Sequence, residues 1–235
     1  MPVAPSFVFF DLDDTLLDHR RAERAALADL HAAFGDYLGH LPVSHLHETY
    51  HAANVPLWVD VGAGRMSLAE LKRQRPERVL AALGVAGLDP AAFSDAFLDR
   101  YATHWTWLAG AREAFLAVAA RLPVGILTNG FREQQRGKLA RFPEIGHAAS
   151  VVVVSDEVGA MKPQRALFDH ALAAASQAAG RALATSDVVL VGDSLTSDVA
   201  GALSAGWQAV WVGGDAARAP AGVRCVASCA EWVEG

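Results

Sequence analysis

Two kinds of hydrophobic pattern alternate along the chain. Short unbroken apolar runs stand at Phe7–Phe10, Val124–Leu127, Val151–Val154 and Val188–Val191, with Ala209–Val212 as a fifth. Rich in β-branched and aromatic residues, they read as strands of a parallel sheet covered on both faces. Stretches with helical spacing lie between most of them: Ala111–Arg121, Arg132–Phe142, Arg165–Ala179 and Ser197–Ala205. Repeated strand, loop and helix predict a doubly wound α/β domain. Ligands of such sheets bind beyond the carboxyl ends of the strands.

One interval interrupts the alternation. Between Phe10 and Val124 there is no good strand candidate, but Ala22–Phe34, Val43–Asn54, Ser67–Leu83 and Pro90–His104 carry apolar residues at helical spacing, such as Leu68, Leu71, Val79 and Leu83. An ordinary crossover does not need that much chain. The pattern predicts an inserted α-helical cap subdomain over residues 18–106, standing over the strand ends as a lid, and a core formed by residues 1–17 and 107–235. The boundaries fall near Asp18 and Trp107–Gly110, where Gly110 can serve as a turn or hinge.

Composition narrows the class. The 235 residues are 52% hydrophobic and 20% charged, as in soluble globular proteins. A net charge of −6 weighs against nucleic acid polymers and anionic membranes as partners. The two cysteines, Cys225 and Cys229, are too few for a disulfide framework and fit a reducing compartment. The apolar start Met1–Phe10 lacks the basic flank of a signal peptide. No apolar stretch approaches the ~20 residues needed to span a bilayer. The expected location is cytoplasmic, as a monomer or homodimer.

Polar residues of one chemical kind follow four of the runs. Asp11 and Asp13 come directly after the first, two residues apart, so both can project from one mouth of the sheet. Thr128-Asn129-Gly130 follows the second and offers a hydroxyl, a carboxamide and an open backbone to phosphate oxygens. Lys162, in Gly159-Ala160-Met161-Lys162-Pro163, offers a fixed positive charge. Asp193 and Asp198 bracket a strand-to-helix turn in Gly192-Asp193-Ser194-Leu195-Thr196-Ser197-Asp198. Singly each has an ordinary reading: a helix cap at Asp14 or Thr15, an Asn-Gly turn, an exposed lysine, an acid in a first helical turn. Jointly, Asp11, Asp13, Asp193 and Asp198 would converge at one sheet end. Two carboxylates about 4 Å apart repel by roughly 4 kcal/mol at an effective dielectric of about 20. Such a cluster calls for a cation or for raised pKa values, and hard oxygen ligands favour Mg²⁺ over zinc.

The ordered segments Asp11-Leu12-Asp13-Asp14-Thr15, Thr128-Asn129-Gly130, Lys162-Pro163 and Gly192–Asp198 resemble the four motifs of the haloacid dehalogenase superfamily across nearly the whole chain. The resemblance implies a Rossmann-like core with a cap inserted between the first two motifs. It implies Asp11 as nucleophile and Asp13 as general acid/base, with Thr128 and Lys162 holding the phosphate. It also implies Mg²⁺ held by Asp13 through its main-chain carbonyl and by Asp11 and Asp193, with Asp198 in support. Retention of Asp13 argues for phosphoryl transfer over dehalogenation, because a halide leaving group needs no proton.

The expected activity is Mg²⁺-dependent hydrolysis of a small phosphorylated metabolite through an aspartyl-phosphate. The cap resembles that of bacterial pyrimidine 5′-nucleotidases in Tyr50, Asn54, Leu57-Trp58, Glu70-Leu71 and Arg75, as does the core in Phe131 and Gln135. Nucleoside 5′-monophosphates are therefore the first substrate class, and Asn54, Trp58, Lys72 and Arg75 the candidate lining of the cap pocket. Sugar phosphates or phosphoglycolate are the alternative within the superfamily; a non-catalytic binding protein on the same scaffold is the alternative outside it. Pro56 and Pro76 are expected to break or kink the cap helices. His47-Glu48-Thr49-Tyr50-His51 formally matches a zinc-hydrolase pattern but lacks a third ligand in a comparable helical context.

Overall fold

The computed structural model describes residues 4–234, so the start of the N-terminal apolar stretch, Met1–Val3, lies outside the described residues. The chain divides into two compact units, one running to Asp18 and resuming at Thr106, the other comprising His19–Trp105.

The first unit is built on a six-stranded parallel sheet. Its strands are β1 (Phe7–Phe10), β2 (Val124–Thr128), β3 (Ala149–Val154), β4 (Val188–Gly192), β5 (Gln208–Val212) and β6 (Arg224–Val226). Alternation within the apolar runs sends side chains to both faces. Phe7, Phe9, Val188 and Leu190 pack with Leu167, Phe168 and Ala171 of the helix Arg165–Ala178. Val8, Phe10, Val189 and Val191 pack with Ala111, Ala114 and Phe115 of the helix Ala111–Ala119 on the other side. Two cores explain why these strands are continuous hydrophobic runs rather than half-polar ones.

The sixth strand was not anticipated. It has three residues, opens on the exposed Arg224, and lies at the sheet edge, where a short charged strand deters further pairing. The expected helix Ser197–Ala205 is instead a π-helical turn, Leu195–Val199, followed by a helix over Ala200–Ser204. An unanticipated terminal helix, Cys229–Glu234, adds Cys229 and Trp232 to the core cluster that holds Leu12 and Leu16.

Strand order is β3-β2-β1-β4-β5-β6. The chain builds outward from β1 on one side, then returns to β1 and builds outward on the other. The direction reverses between β1 and β4, and the usual ligand position in open α/β sheets is at the carboxyl ends of the strands at such a switch point.

The second unit is entirely helical among its described elements: His19–Ala33, Gly35–Leu38, Val43–Gly62, Leu68–Ala82 and Pro90–Thr103. Ser67 and Glu70 form a reciprocal capping box, and Asp89 caps the last helix with Pro90 in its first turn. Leu27, Leu30, Leu46, Tyr50, Val79, Phe93, Phe97 and Tyr101 belong to its separate core. Pro56 and Pro76 do not break their helices, which run through both residues. Pro56 and Ala52 are exposed, so the carbonyl four residues back that loses its partner can bond water instead. Pro76 is buried, and packing of its ring offsets the missing bond.

Candidate active site

The loop after β1 is shaped by one buried leucine between two acids. Leu12 is fully buried, and its carbonyl accepts from the N–H groups of Leu16 and Leu17 at 3.0 and 2.8 Å. With Leu12 turned into the core, Asp11 and Asp13 project to the other side. Asp14 holds the turn at φ +57°, the sole non-glycine residue with positive φ among the described residues. Aspartate tolerates this conformation better than most side chains. The Asp11 N–H donates to the Val191 carbonyl at 2.9 Å, tying the loop to β4.

Asp11, Asp193 and Asp198 each offer a carboxylate oxygen within 4.8 Å of the others. No other group of three or more potential metal-ligating acid, histidine or cysteine side chains occurs among the described residues. Lys162 Nζ lies 2.6 Å from Asp11 Oδ1 and 2.7 Å from Asp198 Oδ1, and donates to the Leu127 carbonyl at 2.8 Å. Three acceptors engage all three ammonium hydrogens. Asp198 Oδ2 accepts from the Ser194 N–H at 2.9 Å, and Gly192 is glycine because a Cβ there would lie 2.5 Å from the Asp198 carboxylate.

Charge sets the proton affinities. Burial pushes the Asp11 carboxyl well above its ordinary value; Lys162 opposes this, while Asp198 and Asp193 add to it. Burial alone would lower the Lys162 ammonium, but Asp11 and Asp198 outweigh it and raise it above its ordinary value. With all four groups ionised, three carboxylates and one ammonium leave two negative charges, which a divalent cation balances. The donor set is entirely oxygen, as Mg²⁺ prefers.

The Asp13 carboxylate does not join this cluster. It turns instead to the helix Arg132–Arg141, where Lys138 Nζ reaches its two oxygens at 2.6 and 2.7 Å and Gln135 Nε2 donates to Oδ2 at 2.9 Å. Lys138 and Gln135 are 2% and 1% exposed. The signal for them lay in the helix itself. Arg-Glu-Gln-Gln-Arg-Gly-Lys-Leu-Ala-Arg has almost no apolar face, so packing it on the sheet forces polar side chains inward.

The second expected group is present but differently employed. Asn129 does not turn its carboxamide outward: Nδ2 donates to the Lys162 carbonyl at 3.0 Å and Oδ1 accepts from the Lys162 N–H at 2.8 Å. It thereby fixes the backbone that carries the lysine. The Gly130 N–H is likewise committed, to Ser155 Oγ at 3.0 Å. Gly130 has φ +144°, and a Cβ there would lie 2.7 Å from Gln135 Nε2. Thr128 Oγ1 accepts from the same nitrogen at 3.0 Å, which directs its own proton elsewhere.

Within the helical unit, Arg75 is not on a solvated face. It is 6% exposed, its guanidinium lies over the rings of Tyr50 and Phe97 at 5.5 and 5.7 Å, and it donates to Asn54 Oδ1 at 3.4 Å. Trp58 is half-buried. Lys72 lines a different cleft of about 450 Å³ with Pro76, Asp89 and Ser94, which includes none of Asn54, Trp58 and Arg75. His47 and His51 share the helix Val43–Gly62 and belong to no three-ligand group.

A parallel sheet with reversed strand order, and acids and a lysine gathered at its switch point, defines a doubly wound α/β core with an inserted helical unit. The sequence pattern of the haloacid dehalogenase-like hydrolases matches residues 6–206, and the chain belongs to that family. It is 31% identical over 217 residues to pyrimidine 5′-nucleotidase YjjG of Escherichia coli, covering 92% of this chain and 90% of the relative. Identity to a phosphoserine phosphatase of Thermus thermophilus is 34% over 226 residues, covering 87% of each. The magnesium-bound crystal structure of HAD-hydrolase YfnB from Bacillus subtilis shares the fold with a TM-score of 0.81 at 23% identity, covering 99% of this chain and 98% of that one.

Proposed function

We propose that the protein is a Mg²⁺-dependent phosphate monoester hydrolase that works through an aspartyl-phosphate on Asp11. The observation that carries this reading is the separation of two acids two residues apart: Asp11 lies in the carboxylate cluster with Lys162, and Asp13 lies outside it on Lys138. This supports attack by Asp11 beside a cation and proton transfer by Asp13.

The Asp11 carboxylate attacks phosphorus, and the bond to the leaving oxygen breaks as a proton passes to that oxygen from Asp13. In the second half, Asp13 takes a proton from the water that attacks the aspartyl-phosphate, which releases inorganic phosphate and restores Asp11. Lys162 offsets charge on the transferring group, and the Thr128 hydroxyl donates to one of its oxygens. Asp11, Asp193 and Asp198, with the Asp13 carbonyl, would hold Mg²⁺, which supplies charge neutralisation at the phosphoryl oxygens when bound. Asn129 and Gly130 contribute by holding Lys162 and the Thr128 loop in place.

For the substrate, the likeness to the Escherichia coli nucleotidase over nearly all of both chains puts nucleoside 5′-monophosphates first. Likeness to the Thermus thermophilus enzyme adds phosphoserine as a second class, and sugar phosphates and phosphoglycolate complete the panel. Partners are small phosphorylated metabolites in the cytoplasm; no described helix is long and apolar enough to cross a membrane. The test is phosphate release from this panel with and without Mg²⁺, ranked by kcat/KM. No release from any compound, or full activity in Asp11→Asn, refutes the reading. Activity that survives Asp11→Asn but is lost in His47→Ala would establish the zinc alternative.

A further inference from the structure

Asp13 is held by Lys138, which none of the four motifs contains, and by Gln135 of the same helix. Lys138 places one ammonium on both oxygens of Asp13, 2.6 and 2.7 Å away, from a side chain that is 2% exposed. Gln135, one helical turn earlier, adds a third contact to the same carboxylate and also reaches Thr128 Oγ1 and the Asn129 carbonyl. A buried lysine on a polar helix is expensive to desolvate, so its presence calls for a task. An unrestrained Asp13 carboxylate, two residues from Asp11, would be drawn to a divalent cation held by Asp11, Asp193 and Asp198.

We propose that Lys138, assisted by Gln135, is a positioning residue that holds the Asp13 carboxylate on the side of the Arg132–Arg141 helix, away from the cation cluster, and so reserves it for proton transfer to the leaving group. This rests on the phosphatase reading and deepens it. Lys138 does not touch the reacting atoms; it acts through Asp13. The proton delivered to the leaving oxygen comes from the Asp13 carboxyl as the phosphorus–oxygen bond breaks, and the same carboxylate recovers one from water in the second half.

Leaving-group dependence gives the test. An alkyl phosphate such as a nucleoside 5′-monophosphate needs a proton on its departing oxygen, whereas p-nitrophenolate leaves without one. General acid catalysis contributes about 10²–10⁴-fold, so Lys138→Met is expected to lower kcat/KM on the alkyl ester by at least about tenfold, while kcat/KM on p-nitrophenyl phosphate, which does not include the later attack of water, changes less than threefold. Gln135→Met should show the same split more weakly, and Lys138→Arg should recover part of the alkyl activity. In an Asp13→Ala background Lys138→Met should cost nothing further on either ester. Calorimetric Mg²⁺ titration supplies a readout apart from turnover: Lys138→Met should bind Mg²⁺ several-fold more tightly, and Asp13→Ala should abolish that gain.

Equal losses of kcat/KM on both esters, or additive losses with Asp13→Ala, overturn the positioning role. Should Lys138→Met not fold, absence of the leaving-group split in Gln135→Met and Lys138→Arg overturns it equally. If Asp13→Ala alone shows the split and the Lys138 variants do not, the hydrolase reading stands and only this inference falls. If the unaltered chain hydrolyses neither ester with Mg²⁺, both fall together.

Discussion

Replacing Asp11 with asparagine removes one charge from the carboxylate cluster while keeping the shape of the side chain. With the oxygens of the cluster within 4.8 Å, repulsion of Asp11 by Asp193 or by Asp198 is about 3.5 kcal/mol each at an effective dielectric of about 20. Its attraction to Lys162 at 2.6 Å comes to about 6 kcal/mol on the same scale. Repulsion and attraction nearly cancel, which leaves the burial of a charge uncompensated, and burial is the largest cause of the raised Asp11 pKa. Lys162 keeps Asp198 as a partner at 2.7 Å, so in metal-free protein Asp11→Asn leaves no unpaired cation and should be more stable than the unaltered chain by on the order of 1 kcal/mol. For a chain of this length each kcal/mol raises Tm by roughly 2–4 °C.

The sign has a pH signature. Because the folded chain holds the Asp11 proton to higher pH than the unfolded chain, the carboxyl costs nothing below about its ordinary value of 3.8 and destabilises progressively as pH rises through its folded pKa. Differential scanning calorimetry in EDTA should show the Tm advantage of Asp11→Asn growing as pH rises above 3.8 and levelling off once the folded carboxyl has ionised. Phosphate release by the same variant should fall by on the order of 10⁴ or more. A variant that melts several degrees below the unaltered chain in EDTA would refute the electrostatic account, and one that retains activity would refute the nucleophile assignment.

Lys162→Met strips the ammonium from two buried carboxylates and should cost about 3–5 kcal/mol in metal-free protein; an unchanged Tm in EDTA would show that the lysine is not what makes the cluster tolerable. Gly130→Ala forces a side chain onto φ +144° and against Gln135, at about 1–3 kcal/mol; a several-fold loss of kcat should accompany the lower Tm, and full activity at full stability would dissociate Gly130 from Gln135. Cys229, whose thiol burial pushes up to about 12, is about one part in ten thousand thiolate at pH 8. Titration of the native protein with a thiol reagent should modify Cys225 alone, and rapid modification of both cysteines before unfolding would contradict the packing of the terminal helix.

The strands were legible because a strand buried on both faces cannot contain polar residues. Phe7–Phe10, Val188–Val191 and their fellows therefore stand out in the chain, and the polar residues that follow them mark the strand ends. The sixth strand escaped because an edge strand of three residues, Arg224–Val226, has no such run. The breaks expected at Pro56 and Pro76 do not occur in their two helices for a related reason. Proline removes one local bond, but exposure at Pro56 and burial at Pro76 decide whether that loss matters, and neither is a local property.

By itself the sequence determined the order of the first five strands, the helical insertion and the position of every motif acid, since these follow from short-range patterns of polarity and size. Only the tertiary structure decided which groups face each other. Lys162 meets Asp11 across 151 positions of chain, and Lys138 meets Asp13 across 125. Asn129 was read as a phosphate donor and proves to hold the Lys162 backbone; Lys138 had no motif to mark it. Four acids were expected in one cluster, and folding admits three while drawing Asp13 to a buried lysine. The choice between those arrangements depends on which side chains the sheet brings within about 3 Å, where charge-assisted hydrogen bonds become strong. No pattern along the chain encodes that distance.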